Sequence, residues 1–265
     1  MSENQTVSQA PVLRRDENGI CHLTLNRPRA YNALSTACMA ALTRALADVA
    51  ADPSVKVVIL AGSGKGFCAG HDLKEMRSCP DREFYAKIFD TCTEMMLAIT
   101  RLPIPVIAKV HGIATAAGCQ LVATCDLAVA EEKTKFATPG VNIGLFCATP
   151  MVALSRSVAR KHAMEMLLLG DMISADRAYD MGLVNRVAPQ DQLDAVTHEL
   201  AARIASRSPF ALKIGKRAFH DQITKDLQGA YAHCSRVMVE NMMAEDAKEG
   251  IAAFMEKRPP VWRDR

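Results

Sequence analysis

Gly62-Ser63-Gly64-Lys65-Gly66-Phe67-Cys68-Ala69-Gly70-His71-Asp72-Leu73 decides the fold, because this glycine-rich turn directly follows the apolar, β-prone run Val55 to Leu60. Glycine admits positive φ and close backbone approach, so such a turn can aim main-chain N–H groups at an anion or a carbonyl oxygen. The spacing fits neither GxGxxG nor a GxxxxGK phosphate loop. Taken alone, the stretch reads equally well as a strand-to-helix turn without a ligand.

Working outward, Glu17-Asn18-Gly19 signals a turn and Ile20 to Leu25 alternates as a strand, which predicts a hairpin ended by Asn26-Arg27-Pro28. Ala, Met and Leu then recur at helical spacing through Val49, with Ser35 as N-cap. With Val55 to Leu60 this makes a strand–helix–strand unit, which favours parallel pairing. The unit repeats: a helix from about Arg82 to Thr100, a strand Val106 to Val110, a helix near Cys119 and a strand Leu127 to Ala130. The second strand runs into another small-residue turn, His111-Gly112-Ile113-Ala114-Thr115-Ala116-Ala117-Gly118-Cys119-Gln120-Leu121. It opens a helix, whose free N–H groups suit an oxyanion. Repeated βα units predict an α/β core with a largely parallel sheet. Beyond Val152 the chain reads as helical: Lys161 to Leu169, Ser174 to Met181, Gln190 to Ser206, Pro209 to Phe219 and Leu227 to Met255.

Across 265 residues, 32 basic and 29 acidic side chains give a net charge of +3 without a basic block, which argues against a nucleic-acid partner. No apolar run approaches the roughly 20 residues of a membrane span. Nine cysteines without CxxC spacing predict neither a disulfide framework nor a zinc site. The histidines at 22, 111, 162, 198, 220 and 233 are isolated, so no metal is expected. A polar N-terminus with no leader pattern predicts a cytoplasmic location and a short disordered tail over residues 1–11.

Both turns, together with Asn26 to Leu34, Cys125-Asp126, Ala175 to Val184 and Lys257-Arg258, resemble the blocks of the crotonase (enoyl-CoA hydratase/isomerase) superfamily in order, from about Val12 to the C-terminus. The resemblance extends to the branch of enoyl-CoA hydratase-domain-containing proteins through Ala69 to Glu75, Ala114 to Gln120 and Phe136 to Val141. It implies a spiral of ββα units over residues 12–200 with a C-terminal helical region, residues 201–265, for capping and assembly as a homotrimer or a dimer of trimers. It also implies fatty-acid or other acyl-CoA metabolism, with a coenzyme A thioester as substrate or ligand and no permanently bound cofactor.

The resemblance places two backbone donors at His71 and Ala117, which would polarise the thioester carbonyl. Arg29, Ala30, Ala69, His71, Asp72, Leu73 and Ala117 would bind the substrate, with Phe254 and Lys257 closing on it; for Arg29 and Lys257 a solvated charge is the plain alternative. The two glutamates of the hydratases fall on Gln120 and Gly140, and the aspartate of related isomerases on Ala148. Glutamine exchanges no proton and glycine has no side chain, so the usual acid/base pair is missing. Substitutes within reach are His71, Cys119, Cys147, Glu83 and Tyr85, each of which reads also as packing or a solvated face. Two functions stay open: a redirected acyl-CoA reaction, or acyl-CoA binding without turnover.

Overall fold

The structure, a computed structural model, describes residues 10–265; the tail expected over residues 1–11 lies, up to residue 9, outside the described residues. The hairpin forms as expected: β1 (Val12–Glu17) and β2 (Ile20–Leu25) pair antiparallel around Asn18 and Gly19, both at positive φ. Ser35 caps α1 (Thr36–Ala50), its side chain accepting from the Cys38 N–H. The next strand, β3, spans Val57–Gly62 instead of Val55 to Leu60. The shift follows from hydrogen bonding: Val55 N closes a turn on the Asp52 carbonyl, and pairing starts where Lys56 N reaches the Gly19 carbonyl.

Then come α2 (Leu73–Ser78), α3 (Arg82–Arg101), β4 (Val106–Val110), β5 (Ile113–Thr115), α4 (Ala117–Thr124), β6 (Leu127–Glu131), β7 (Lys135–Ala137), α5 (Ala148–Ser157), α6 (Arg160–Leu169), β8 (Ile173–Ser174), α7 (Ala175–Asp180), β9 (Arg186–Ala188), α8 (Leu193–Ala205) and α9 (Pro209–Gln222). The main sheet has the order β1-β2-β3-β4-β6-β9 and is parallel beyond the hairpin, while β5, β7 and β8 form a small second sheet. Three-residue strands such as β5 and β7 carry too little alternation to be visible in the sequence.

The main sheet is apolar on both faces, as a covered parallel sheet must be. Leu23, Leu60, Ala108 and Ala128 stand in register on the inner face against Leu42 and Leu46 of α1 and Met95 and Ile99 of α3. Ile20, Val57, Ile59, Ile107 and Val129 face Leu193 and Ala201 of α8 on the other.

The helix expected from Leu227 to Met255 is two: α10 (Leu227–Met243) and α11 (Glu245–Glu256), broken where Ala244 turns extended. The break carries Asp246 into a buried knot, where it accepts from Ser208 Oγ at 2.5 Å and from Arg263 N at 2.7 Å. Below the sheet, Lys216 of α9 buries its ammonium against Asp126 Oδ2 (2.6 Å) and the carbonyls of Ile99 and Ile104. Asp126 also accepts from Val106 N.

Candidate functional site

Three chain segments are laced together at the carboxyl ends of β3 and β4. Fully buried Asn32 accepts from Arg27 N and donates to the carbonyls of Ser63 and Gly66, each at 2.8 Å, tying the segment after β2 to the glycine-rich turn. Arg27 reaches across to Asp72 at 2.7 Å and also donates to the Ala33 carbonyl. Asp72 caps α2 by accepting from Lys74 N and Glu75 N. Burial pushes the Asp72 carboxyl up, but the Arg27 guanidinium and the α2 N–H groups together hold it below the ordinary aspartate value.

The second turn docks on the first. Cys68 N donates to the Ile113 carbonyl, Thr115 N to the Cys68 carbonyl, and Thr115 Oγ1 to the Ala69 carbonyl at 3.0 Å. Gly70, at φ +97°, lies so close that a Cβ there would stand 2.9 Å from Ala116 Cβ and 3.2 Å from Ala117 N. Only glycine fits that approach. It brings the Gly70 backbone against Ala116 and Ala117.

Local geometry leaves both N–H groups out of the ladders. His71 bridges Leu34 in parallel fashion, and the bonds of that bridge are Leu34 N to the Gly70 carbonyl and Asp72 N to the Leu34 carbonyl, so the His71 N–H turns the other way. Ala117 opens α4, where first-turn N–H groups have no helical acceptor. Ala116 before it sits at φ 50°, ψ −119°, strained for a residue with a Cβ, and is held there by its N–H to the Ala137 carbonyl.

Other expected residues divide in two. Ala69 N donates to the Tyr31 carbonyl, which ties the segment carrying Arg29 and Ala30 to the turn carrying Ala69, His71, Asp72 and Leu73. Phe254 and Lys257 lie elsewhere in the chain: α11 packs on α10 and α9, α9 is fastened at the opposite ends of the strands, and Phe254 is 85% exposed.

Gln120 is 6% exposed and, three residues after Ala117, lies on the same face of α4. Gly140 N donates to Cys147 Sγ at 3.3 Å. Burial pushes the Cys119 thiol up to about 12 and raises that of Cys147, so both stay protonated and weakly nucleophilic. Glu83 is exposed at the start of α3, and Tyr85 is half-buried. The His71 ring packs edge-on against Phe89, with centroids 5.5 Å apart, and burial holds it below the ordinary histidine range against smaller upward pulls from the Leu34 backbone and Glu75. Asn32, Thr115 and Thr138 escaped the sequence reading, because nothing in their spacing distinguishes a latch or a lining group from an ordinary turn residue. Among the described residues no cluster of three potential metal ligands occurs, and no helix is long and apolar enough to cross a membrane.

The family described as enoyl-CoA hydratase/isomerase matches residues 15–265. The chain is 47% identical over 248 residues to the mouse enoyl-CoA hydratase domain-containing protein 3, mitochondrial, covering 94% of this chain and 83% of that one. A crystal structure of an enoyl-CoA hydratase from Mycobacterium smegmatis superposes with a TM-score of 0.93 at 56% identity, covering 95% and 98% of the two chains. That of human enoyl-CoA hydratase domain-containing protein 3 gives 0.92 at 46%, covering 95% and 100%. The sheet order and helical tail are thus those of the crotonase-type spiral. The cytoplasmic location expected from the N-terminus is corrected by these comparisons: the mouse, rat, frog and human relatives all carry the word mitochondrial in their names. On the match along nearly its whole length, the chain belongs to the enoyl-CoA hydratase/isomerase family.

Proposed function

We propose that this protein binds an acyl-CoA thioester and polarises its carbonyl between the N–H groups of His71 and Ala117, without the acid/base pair that hydration requires. The observation that supports the reading is the close approach of the two turns, where a Cβ on Gly70 would stand 3.2 Å from Ala117 N. Two such donors stabilise the enolate-like charge that builds up on a thioester oxygen, and loss of one costs about a hundredfold in rate. Hydration also needs one group to activate water and another to deliver a proton. Gln120 and Gly140 stand at those positions and do neither.

Arg29, Ala30 and the Ala69–Leu73 turn form the rim for the CoA moiety, and residues 201–265 serve assembly. The exposed Leu227, Tyr231, Met238, Val239, Met242 and Met243 of α10, a helix with no buried residue, support a homotrimer or a dimer of trimers. In such an assembly Phe254 and Lys257 of one protomer would close on the rim of another.

The test is steady-state hydration of crotonyl-CoA and a longer 2-enoyl-CoA, with binding and the thioester absorbance shift measured on the same sample. Tight binding and a spectral shift with turnover at the buffer rate are expected. His71→Pro, which removes the donor, should abolish the shift. An unchanged shift in a folded variant overturns the assignment; turnover that disappears in that variant identifies an enzyme with a substitute acid/base.

A further inference from the structure

At the end of α11 the chain reverses. Lys257 turns left-handed at φ 56°, its N–H meets the Phe254 carbonyl and the Arg258 N–H meets the Ala253 carbonyl. Pro259 and Pro260 stiffen the reversal, and residues 258–265 run back along the helix until the Arg265 carbonyl accepts from Asp246 N.

This strap is fastened along its length. Glu249, on the second turn of α11, accepts a forked pair from Arg258 at 2.6 and 3.0 Å and the Val261 N–H at 2.8 Å, and these donors, Arg258 foremost, hold its carboxyl down at about 2. The Trp262 indole N–H donates to the carbonyl of Ser206, the last cap of α8, at 2.8 Å. Its ring lies over Gly250, where a Cβ would stand 3.2 Å away. Arg263 N reaches Asp246, which also holds the Ser208 hydroxyl that caps α9. One short segment thus joins α11 to both α8 and α9.

A helix of 12 residues is marginal by itself, and only Asp246 and Ala253 of α11 are buried. Apolar burial therefore does little to set its direction, and the polar fastenings do the rest. The Arg258–Glu249 pair is solvent-facing and adds little to overall stability. What it fixes is the reversal, where Lys257 stands and where Phe254 is held 85% exposed. Clamping a phenylalanine in water brings the single chain no burial.

We infer that the strap is a positioning element for acyl-CoA binding: Glu249, Arg258 and Trp262 hold the end of α11 in the orientation from which Phe254 and Lys257 close on the rim of a neighbouring copy. The inference rests on the reading above that those two residues do so, and it gives Glu249 and Trp262 a role exerted through α11, without contact to the ligand.

Calorimetric titration with butyryl-CoA tests it, run beside thermal melts and the fluorescence of Trp262, the single tryptophan of the chain. In Glu249→Ala the dissociation constant should rise about tenfold as preorganisation is lost, with the melting temperature little changed and the emission shifted to the red. Arg258→Lys, which keeps the charge but not the fork, should fall between. Phe254→Ala should weaken binding as well, and in Glu249→Ala/Phe254→Ala the two losses should not add, because the first acts through the second. An unchanged dissociation constant in Glu249→Ala beside a weakened Phe254→Ala overturns the inference. Additive losses, or a loss matched by a fallen melting temperature, assign the strap to stability alone and overturn it too. Full affinity in both Phe254→Ala and Lys257→Ala sinks instead the closure by α11, and failure of the wild type to bind sinks the acyl-CoA reading itself.

Discussion

A Cβ on Gly140 would stand 2.7 Å from the Leu145 carbonyl oxygen and 2.9 Å from Cys147 Sγ. The Leu145 N–H in turn donates to the Gly140 carbonyl at 2.9 Å, so the segment from 140 to 147 is folded back on itself and closes the space a side chain would need. Gly140→Ala should therefore destabilise the protein by about 1–3 kcal/mol, the usual range for overpacking, as read from denaturant melts. The double variant Gln120→Glu/Gly140→Glu should give no crotonyl-CoA hydration above that of Gln120→Glu alone. A clear gain would show that the 140–147 segment yields.

Ala116 is the second point of stored strain. Ala116→Gly removes the Cβ from an unfavourable conformation and, after the entropic cost of glycine, should raise stability by roughly 1 kcal/mol. The same change unfastens the Ala117 N–H, so affinity for an acyl-CoA should fall while the melting temperature rises. Movement of both in the same direction would rule out this division of roles.

Lys216 carries a buried charge that is fully paired. Lys216→Met leaves Asp126 without its cation and two carbonyls without a donor, and should cost about 3–5 kcal/mol. Adding Asp126→Asn should recover part of the loss. A single variant as stable as the wild type would show that water replaces the ammonium.

The buried imidazole of His71 makes stability depend on pH. Its folded pKa is depressed, so as pH falls through about 6.5 the unfolded chain takes up a proton that the folded chain resists, and stability drops. The contribution is intact above that pH and is lost below it. His22, lowered by burial and by neighbouring Arg15 and Lys109, acts in the same direction. Denaturant-derived stabilities at pH 7.5 and 5.5 should differ less in His71→Phe than in the wild type; an equal difference would place the slope elsewhere.

Long-period features were legible in the sequence: the Asn18-Gly19 hairpin, the Ser35 cap and the α1, α3 and β4 boundaries all rest on local turn chemistry or on many apolar residues in phase. Both turns of the site were legible too, because small residues after an apolar strand leave few other conformations. What escaped was set by contacts between distant segments. The break at Ala244 depends on Ser208 and Arg263 meeting Asp246. The Asn32 latch depends on carbonyls more than 30 residues away. That the space beside Gly140 is filled depends on a loop folding back.

The outermost strand of the main sheet, β1, ends in Arg14-Arg15-Asp16-Glu17, with Arg14 clasped by Asp16 and Asp52. Another copy extending the sheet across this margin would have to strip water from a run of four charged residues, which is how proteins keep open sheet margins from recruiting neighbours into fibrils. Open-ended strand addition across this margin is thereby disfavoured.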